Sequence, residues 1–137
     1  MRLILDTNVL VSANIQRGYP YLIVDRVFAD PNLELCFSEQ LFTEYVDVLN
    51  REKFAKFPDF YSKAQTLLSD IRTFGFQFTT NIEVDIIRDE PDNRLLELAE
   101  TCKAQYLVTG NTNDFIMTEY KGTEIVSPKE FFEIINK

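Results

Sequence analysis

The sequence predicts an α/β protein, a three-layer α/β/α sandwich built on a mainly parallel sheet. Two patterns carry that expectation. Short continuous apolar runs, the form taken by strands buried on both faces, recur along the chain, and stretches with helical apolar spacing separate them. At 137 residues the chain is the size of one domain, spanning 1–137, with a single core.

The opening "RLIL" is the first such run, closed by the polar triplet Asp6-Thr7-Asn8. Arg2 before aliphatic residues faintly imitates a secretion signal, but Asp6, Asn8 and Asn14 interrupt the apolar stretch and no small-residue cleavage site follows. It is therefore read as the first strand. "YLIVDRVFAD" then has helical spacing through Leu22, Val24 and Phe28. "LELCFS" predicts the second strand, and Ser38 is a good N-cap for a helix whose inner face carries Leu41, Phe42, Tyr45, Val46 and Leu49. Glu44 lies on that helix. Phe57-Pro58 breaks it off, because the residue before a proline avoids the helical region. A further helix through Phe60, Ala64, Leu67, Leu68 and Ile71 runs to Gly75.

"FQFTT" is a short strand. Pro91 suits the first turn of a helix with Leu95, Leu96, Ala99 and Cys102 inward, and "QYLVT" makes another buried strand. "TEIVS" is the last strand, and Ser127-Pro128-Lys129-Glu130 joins a capping box to an early proline at the start of the final helix.

Composition narrows the chemistry. With 45% apolar and 26% charged residues the chain is that of a globular protein, and no segment has the 18 or more apolar residues of a membrane span. No membrane partner is expected. Cys36 and Cys102 match no metal or redox spacing and lie in apolar stretches, which predicts buried thiols and a cytoplasmic location. There is no histidine, so serine–histidine, cysteine–histidine and histidine–zinc mechanisms are all excluded. Catalysis, if present, runs on carboxylates, hydroxyls and amides.

A net charge of −8 disfavours broad adhesion to nucleic acid. Charge is nonetheless segregated: Arg51, Lys53, Lys56 and Lys63 gather in one stretch, while acids crowd between Glu83 and Glu100.

Four places combine chemistry with position: Asp6 after the first strand, Glu44 on the helix after the second, Asp92 at the start of a later helix, and Asn111 to Asp114 after "YLVT". Ligands of open α/β sheets bind outside the carboxyl ends of the strands. If the strands are parallel neighbours, three or four carboxylates share one cleft. Singly, each has a plain structural account: an Asx turn for Asp6 and Asn8, a solvated flank for Glu44, a first-turn acid for Asp92, loop residues for Asn111 and Asp114. Together they repel one another, and a hard dication such as Mg²⁺ or Mn²⁺ relieves the repulsion. Such an ion also orients and acidifies water beside a phosphate.

These stretches resemble the PIN-domain ribonucleases, specifically the single-domain toxin components of bacterial toxin–antitoxin pairs. "LILDTNVLVSA", "LFTEYVDVLNREKF", "RDEPDNRLLELAETCKAQYLVTGNTNDF" and "IVSPKEFFEII" carry the resemblance over nearly the whole length. It implies that Asp6, Glu44 and Asp92 are catalytic metal-binding acids, with Thr7 and Asn8 as companions of the first. Many relatives carry an aspartate where this chain has Asn111, and the next acid, Asp114, three residues on, is the candidate fourth catalytic and metal-binding acid. Thr109 would steer a phosphate or water through its hydroxyl, as in relatives. Arg51, Lys53 and Lys56 are the candidate phosphate contacts.

The resemblance further implies a single-stranded RNA substrate, a cognate antitoxin protein that covers the cleft, and a homodimer. The competing expectation is a decayed domain that binds RNA or protein without cleaving, favoured by Asn111 and the acidic charge. A covalent aspartyl-phosphate mechanism would want a second aspartate two places after Asp6, where Asn8 stands.

Overall fold

The computed structural model describes residues 1–137 and has the expected architecture. Six strands form one sheet in the order β3-β2-β1-β4-β6-β5. These are β1 (Arg2–Leu5), β2 (Glu34–Phe37), β3 (Phe76–Gln77), β4 (Tyr106–Val108), β5 (Glu119–Tyr120) and β6 (Thr123–Val126). Every pairing is parallel except β5 with β6. Six helices cover the sheet: α1 (Thr7–Ile15), α2 (Tyr19–Ala29), α3 (Glu39–Leu49), α4 (Phe60–Phe74), α5 (Glu90–Cys102) and α6 (Pro128–Ile135). None is long and apolar enough to cross a membrane.

β1 occupies the middle of the sheet, and its Leu3, Ile4 and Leu5 are fully buried. An unbroken apolar run is what a strand covered on both faces requires. The chain leaves β1 toward β2 and β3, then returns to place β4 on the other flank, so the strand order reverses between β1 and β4. The crevice at such a reversal is where open sheets bind ligands. The ladder continues past the strand: the Asp6 amide donates to the Val108 carbonyl at 2.9 Å, and that of Thr109 to Val126 at 3.0 Å.

Most elements follow the sequence pattern. Ser38 caps α3 by accepting from the Leu41 amide, and Ser127 and Glu130 form the reciprocal capping box of α6. The inner residues expected of α4 and α5 are all buried. Val46, placed on the inner face of α3 by spacing, is instead exposed, because only Leu41, Phe42, Tyr45 and Leu49 face the core.

Two features depart from expectation. The residues after Asp6 form α1, for which the sequence offered no helical pattern: its buried side carries polar Thr7 and Asn14 beside Val9, Leu10 and Ala13, and Thr, Asn and Val are poor helix formers. The other is the β5–β6 hairpin, turned by Lys121 and Gly122 with φ of 48° and 88°. That is the positive-φ pair of a two-residue turn, without the Asn-Gly that usually signals it. Cys36 on β2 and Cys102 on α5, distant in sequence, are buried free thiols, and the Cys36 thiol donates to the Glu34 carbonyl at 3.7 Å.

The segment leading into α5 has no regular structure and is held by side chains of that helix. Buried Asn93 accepts from the amides of Ile86 and Ile87 at 3.0 and 2.8 Å and donates to the Ile87 carbonyl at 2.6 Å. Glu97, also buried, accepts from the Val84 amide at 2.8 Å and pairs with Arg94. Asn93→Leu, which keeps the volume but leaves three backbone groups without partners, is expected to lower stability by at least about 2 kcal/mol in chemical denaturation.

Candidate carboxylate cleft

Asp6 is built into the structure twice over. As N-cap of α1 its carboxylate accepts from the Thr7 amide at 2.7 Å. Its other oxygen accepts from the Thr109 hydroxyl at 2.8 Å and from Asn8 Nδ2 at 3.3 Å. Thr109, fully buried at the end of β4, also accepts from the Asn111 amide at 3.1 Å. Asn8 closes the circuit by accepting from the Gly110 amide at 2.9 Å. A Cβ at Gly110 would stand 3.2 Å from that Asn8 oxygen, so the close approach favours glycine.

Glu44 reaches the same place from α3, accepting from the hydroxyl of Thr7. Its neighbour Tyr45, fully buried, donates to the Leu5 carbonyl at 2.5 Å and ties α3 to the end of β1. Burial, with Asp6 and Glu44 nearby, pushes the Tyr45 hydroxyl well above its usual pKa, so it stays a neutral donor. Asp92 comes from the first turn of α5 and Asp114 from a 3-10 turn over Thr112–Asp114.

Asp6, Asn8, Glu44, Lys53, Asp92, Asn111 and Asp114 thus line one cleft of about 440 Å³. Sequence reasoning missed Asp89, which lines it too. Asp89 is the N-cap of α5 yet makes no side-chain capping bond, so its carboxylate is left facing the acids. Its position one turn before Asp92 was the available signal.

Three candidate contacts stand elsewhere, Lys56 among them, outside the cleft lining. Arg51 lies outside the cleft lining, its guanidinium paired at 3.3 Å with Asp47 one helical turn earlier. The Thr109 hydroxyl is committed to Asp6 beneath the cleft rather than offered to a phosphate. Lys53 keeps its place at the cleft, its ammonium 5.3 Å from the centre of the Phe54 ring.

The acids feel one another. Burial first, then Glu44 and Asp89, push Asp6 up to about 6 against the hydrogen bonds from Thr109 and Thr7. Asp92, 8% exposed, is pushed to about 7 by burial, then by Asp6, Asp89, Asp114 and Glu44. No three of these groups are drawn tightly enough together to ligate an ion as they stand. Their chemistry nevertheless fits one: an all-oxygen donor set, mutually repelling and partly shielded from water, is what Mg²⁺ or Mn²⁺ takes.

Both carboxyls titrate above their ordinary value of 3.8, so the native state holds their protons more tightly than the unfolded chain does. Their contribution favours the fold at acid pH and is lost as pH rises through 6 and 7. In the absence of divalent ions, Asp6→Asn or Asp92→Asn should therefore raise stability at pH 8 by about 1–3 kcal/mol and change little at pH 4. Thermal unfolding across that range measures it, and destabilisation at pH 8 would contradict the repulsion.

Comparison with known proteins agrees with this arrangement. The uncharacterized protein MJ1680 of Methanocaldococcus jannaschii is 24% identical over 146 aligned positions, which take in all of this chain and 93% of that protein. The family model described as PIN domain matches residues 2–113, from β1 into the 3-10 turn and one residue short of Asp114. The chain belongs to the PIN domain family, whose domains are generally nucleases.

Proposed function

We propose that the protein is a metal-dependent endoribonuclease that hydrolyses phosphodiester bonds of single-stranded RNA, and that it serves as the toxin of a toxin–antitoxin pair. The observation that supports this reading is the gathering of Asp6, Glu44, Asp92 and Asp114 in one cleft at the reversal of the sheet. In the proposal these four carboxylates hold Mg²⁺ or Mn²⁺. The bound ion supplies positive charge to a phosphate and acidity to a water. The chain does the rest. Thr109 and the Thr7 amide fix the Asp6 carboxylate, Thr7 fixes Glu44, and Lys53 at the rim receives the phosphate backbone. Asn8 and Asn111 line the path of the strand, with amide groups able to donate to phosphate or ribose.

The biological setting is part of the proposal: a cytoplasmic enzyme, active as a homodimer and restrained by an antitoxin protein that covers the cleft. A second reading, a domain that binds without cleaving, is favoured by Asn111 in the place where relatives carry an acid, since an amide ligates through oxygen but brings no charge.

Asp6→Asn is expected to abolish cleavage of a single-stranded RNA in millimolar Mn²⁺ while the far-UV spectrum stays unchanged; undiminished cleavage would remove the proposed role. Thr109→Val, which deletes only the hydroxyl that orients Asp6, should weaken Mn²⁺ binding by about 10- to 100-fold in titration calorimetry. The non-cleaving reading requires no carboxylate-dependent heat at all.

A further inference from the structure

The carboxylate cleft is not the only hollow in the molecule. A cavity of about 640 Å³ opens between α1, α2 and α4, and Asn14, near the far end of α1, lines it. Asn14 is 7% exposed, and its Nδ2 has no hydrogen-bond partner. A buried donor left unmade is destabilising by about 1–3 kcal/mol; this nitrogen is itself enclosed, so a turn of the Asn14 side chain brings it to a ligand in the cavity that its residue lines. Around it stand the half-buried ring of Phe28, two cations, Arg17 and Lys63, and two carboxylates, Asp25 and Asp70. Arg17 is held over the Tyr21 ring at 5.2 Å.

This mixture of groups is selective. A purely anionic ligand would meet Asp25 and Asp70, and a cationic one would meet Arg17 and Lys63. A ribonucleotide satisfies all of them: phosphate for the cations, ribose hydroxyls for the carboxylates, a flat base against the aromatic wall, and a base edge for the carboxamide. Asparagine pairs in two-point fashion with adenine N6 and N7. We propose that the α1–α2–α4 cavity is a ribonucleotide-binding subsite in which Asn14 reads the base, with adenine preferred.

The cavity and the carboxylate cleft share one helix. Asp6 caps the start of α1, and Asn14 lies eight residues along it, about 12 Å at the helical rise. Val11 and Ser12 line the cleft, and Ala13 and Asn14 line the cavity. A strand lying along α1 would meet the acids and place a base in the cavity a few nucleotides away. Lys53 lies at the first site and Lys63 at the second, so the basic stretch seen in the sequence is divided between them. The subsite deepens the ribonuclease reading and rests on it for the presence of an RNA strand.

Binding is tested on the full chain in EDTA, which separates it from cleavage. Adenosine monophosphate, a pentameric single-stranded oligoadenylate and its deoxy counterpart are each titrated while the Asn14 side-chain amide resonances are followed by NMR. The expected result is a shift of those resonances with the ribonucleotides and a weaker response to the deoxy pentamer. A response to the pentamer alone assigns the site to a nucleotide within a chain. A response to the monophosphate as well assigns it to free nucleotide too.

Asn14→Leu should weaken binding roughly 5- to 150-fold, the discrimination of one two-point base contact. It should also raise the melting temperature, since it removes an unpartnered buried amide. A merely structural Asn14 would lower it. Flat titrations with both ribonucleotides would overturn the proposal, as would equal affinity of the Asn14→Leu variant. Nucleotide binding retained in a protein that cleaves no RNA would sink the nuclease reading alone.

Discussion

Carboxylates held together at the end of a buried strand repel, and the structure is organised to hold them there all the same. Asp6 cannot turn away: its backbone is still in register with β4 and its side chain is fixed by the first amide of α1 and by the Thr109 hydroxyl. The consequence is electrostatic. Protons stay on Asp6 and Asp92 to a pH well above the usual carboxylate range, and a hard dication is the natural competitor for them. The acids share a cleft without closing on a common point, so an ion would complete the gathering that the fold begins.

Three separate devices bring distant parts of the chain to this spot. The parallel sheet levels the ends of β1 and β4, the Tyr45 hydroxyl fastens α3 to the Leu5 carbonyl, and Asn93 pins the irregular segment before α5 so that Asp89 and Asp92 face inward. The last two are polar side chains bonded to backbone in apolar surroundings. Such contacts contribute little when replaced as matched pairs but leave a costly orphan when one partner is lost. The positioning of the cleft therefore depends on residues that are themselves chemically inert.

α1 links this cleft to the cavity beyond it. A helix whose inner side carries Thr7 and Asn14 contributes less to the core than an apolar one. In return it offers hydrogen-bonding groups at both of its ends. The protein's acidic charge gives it no general attraction for RNA, so recognition must come from a few local groups: Lys53 at one site, Arg17 and Lys63 at the other.

The strands and most helices were legible because their signals are local: unbroken apolar runs for β1 and β4, Ser38 and Ser127 as caps, Pro91 as a first-turn residue. α1 was not, because burying polar residues erased the periodicity that betrays a helix. Asp6, Glu44, Asp92 and Asp114 could be chosen from their places after strands and at helix starts. Asp89 has only its place one turn before Asp92 to point to it, and nothing in the order of residues tells that an N-cap will leave its cap unmade. Arg51 was drawn to a neighbour one turn back, a pairing set by side-chain rotamer rather than sequence position. The sequence alone thus determined the layers, most of the elements and the kinds of group available for chemistry. Tertiary structure decided which acids meet, where Thr109 directs its proton, and that Asn14 is left without a partner, because these depend on contacts between segments as many as a hundred residues apart.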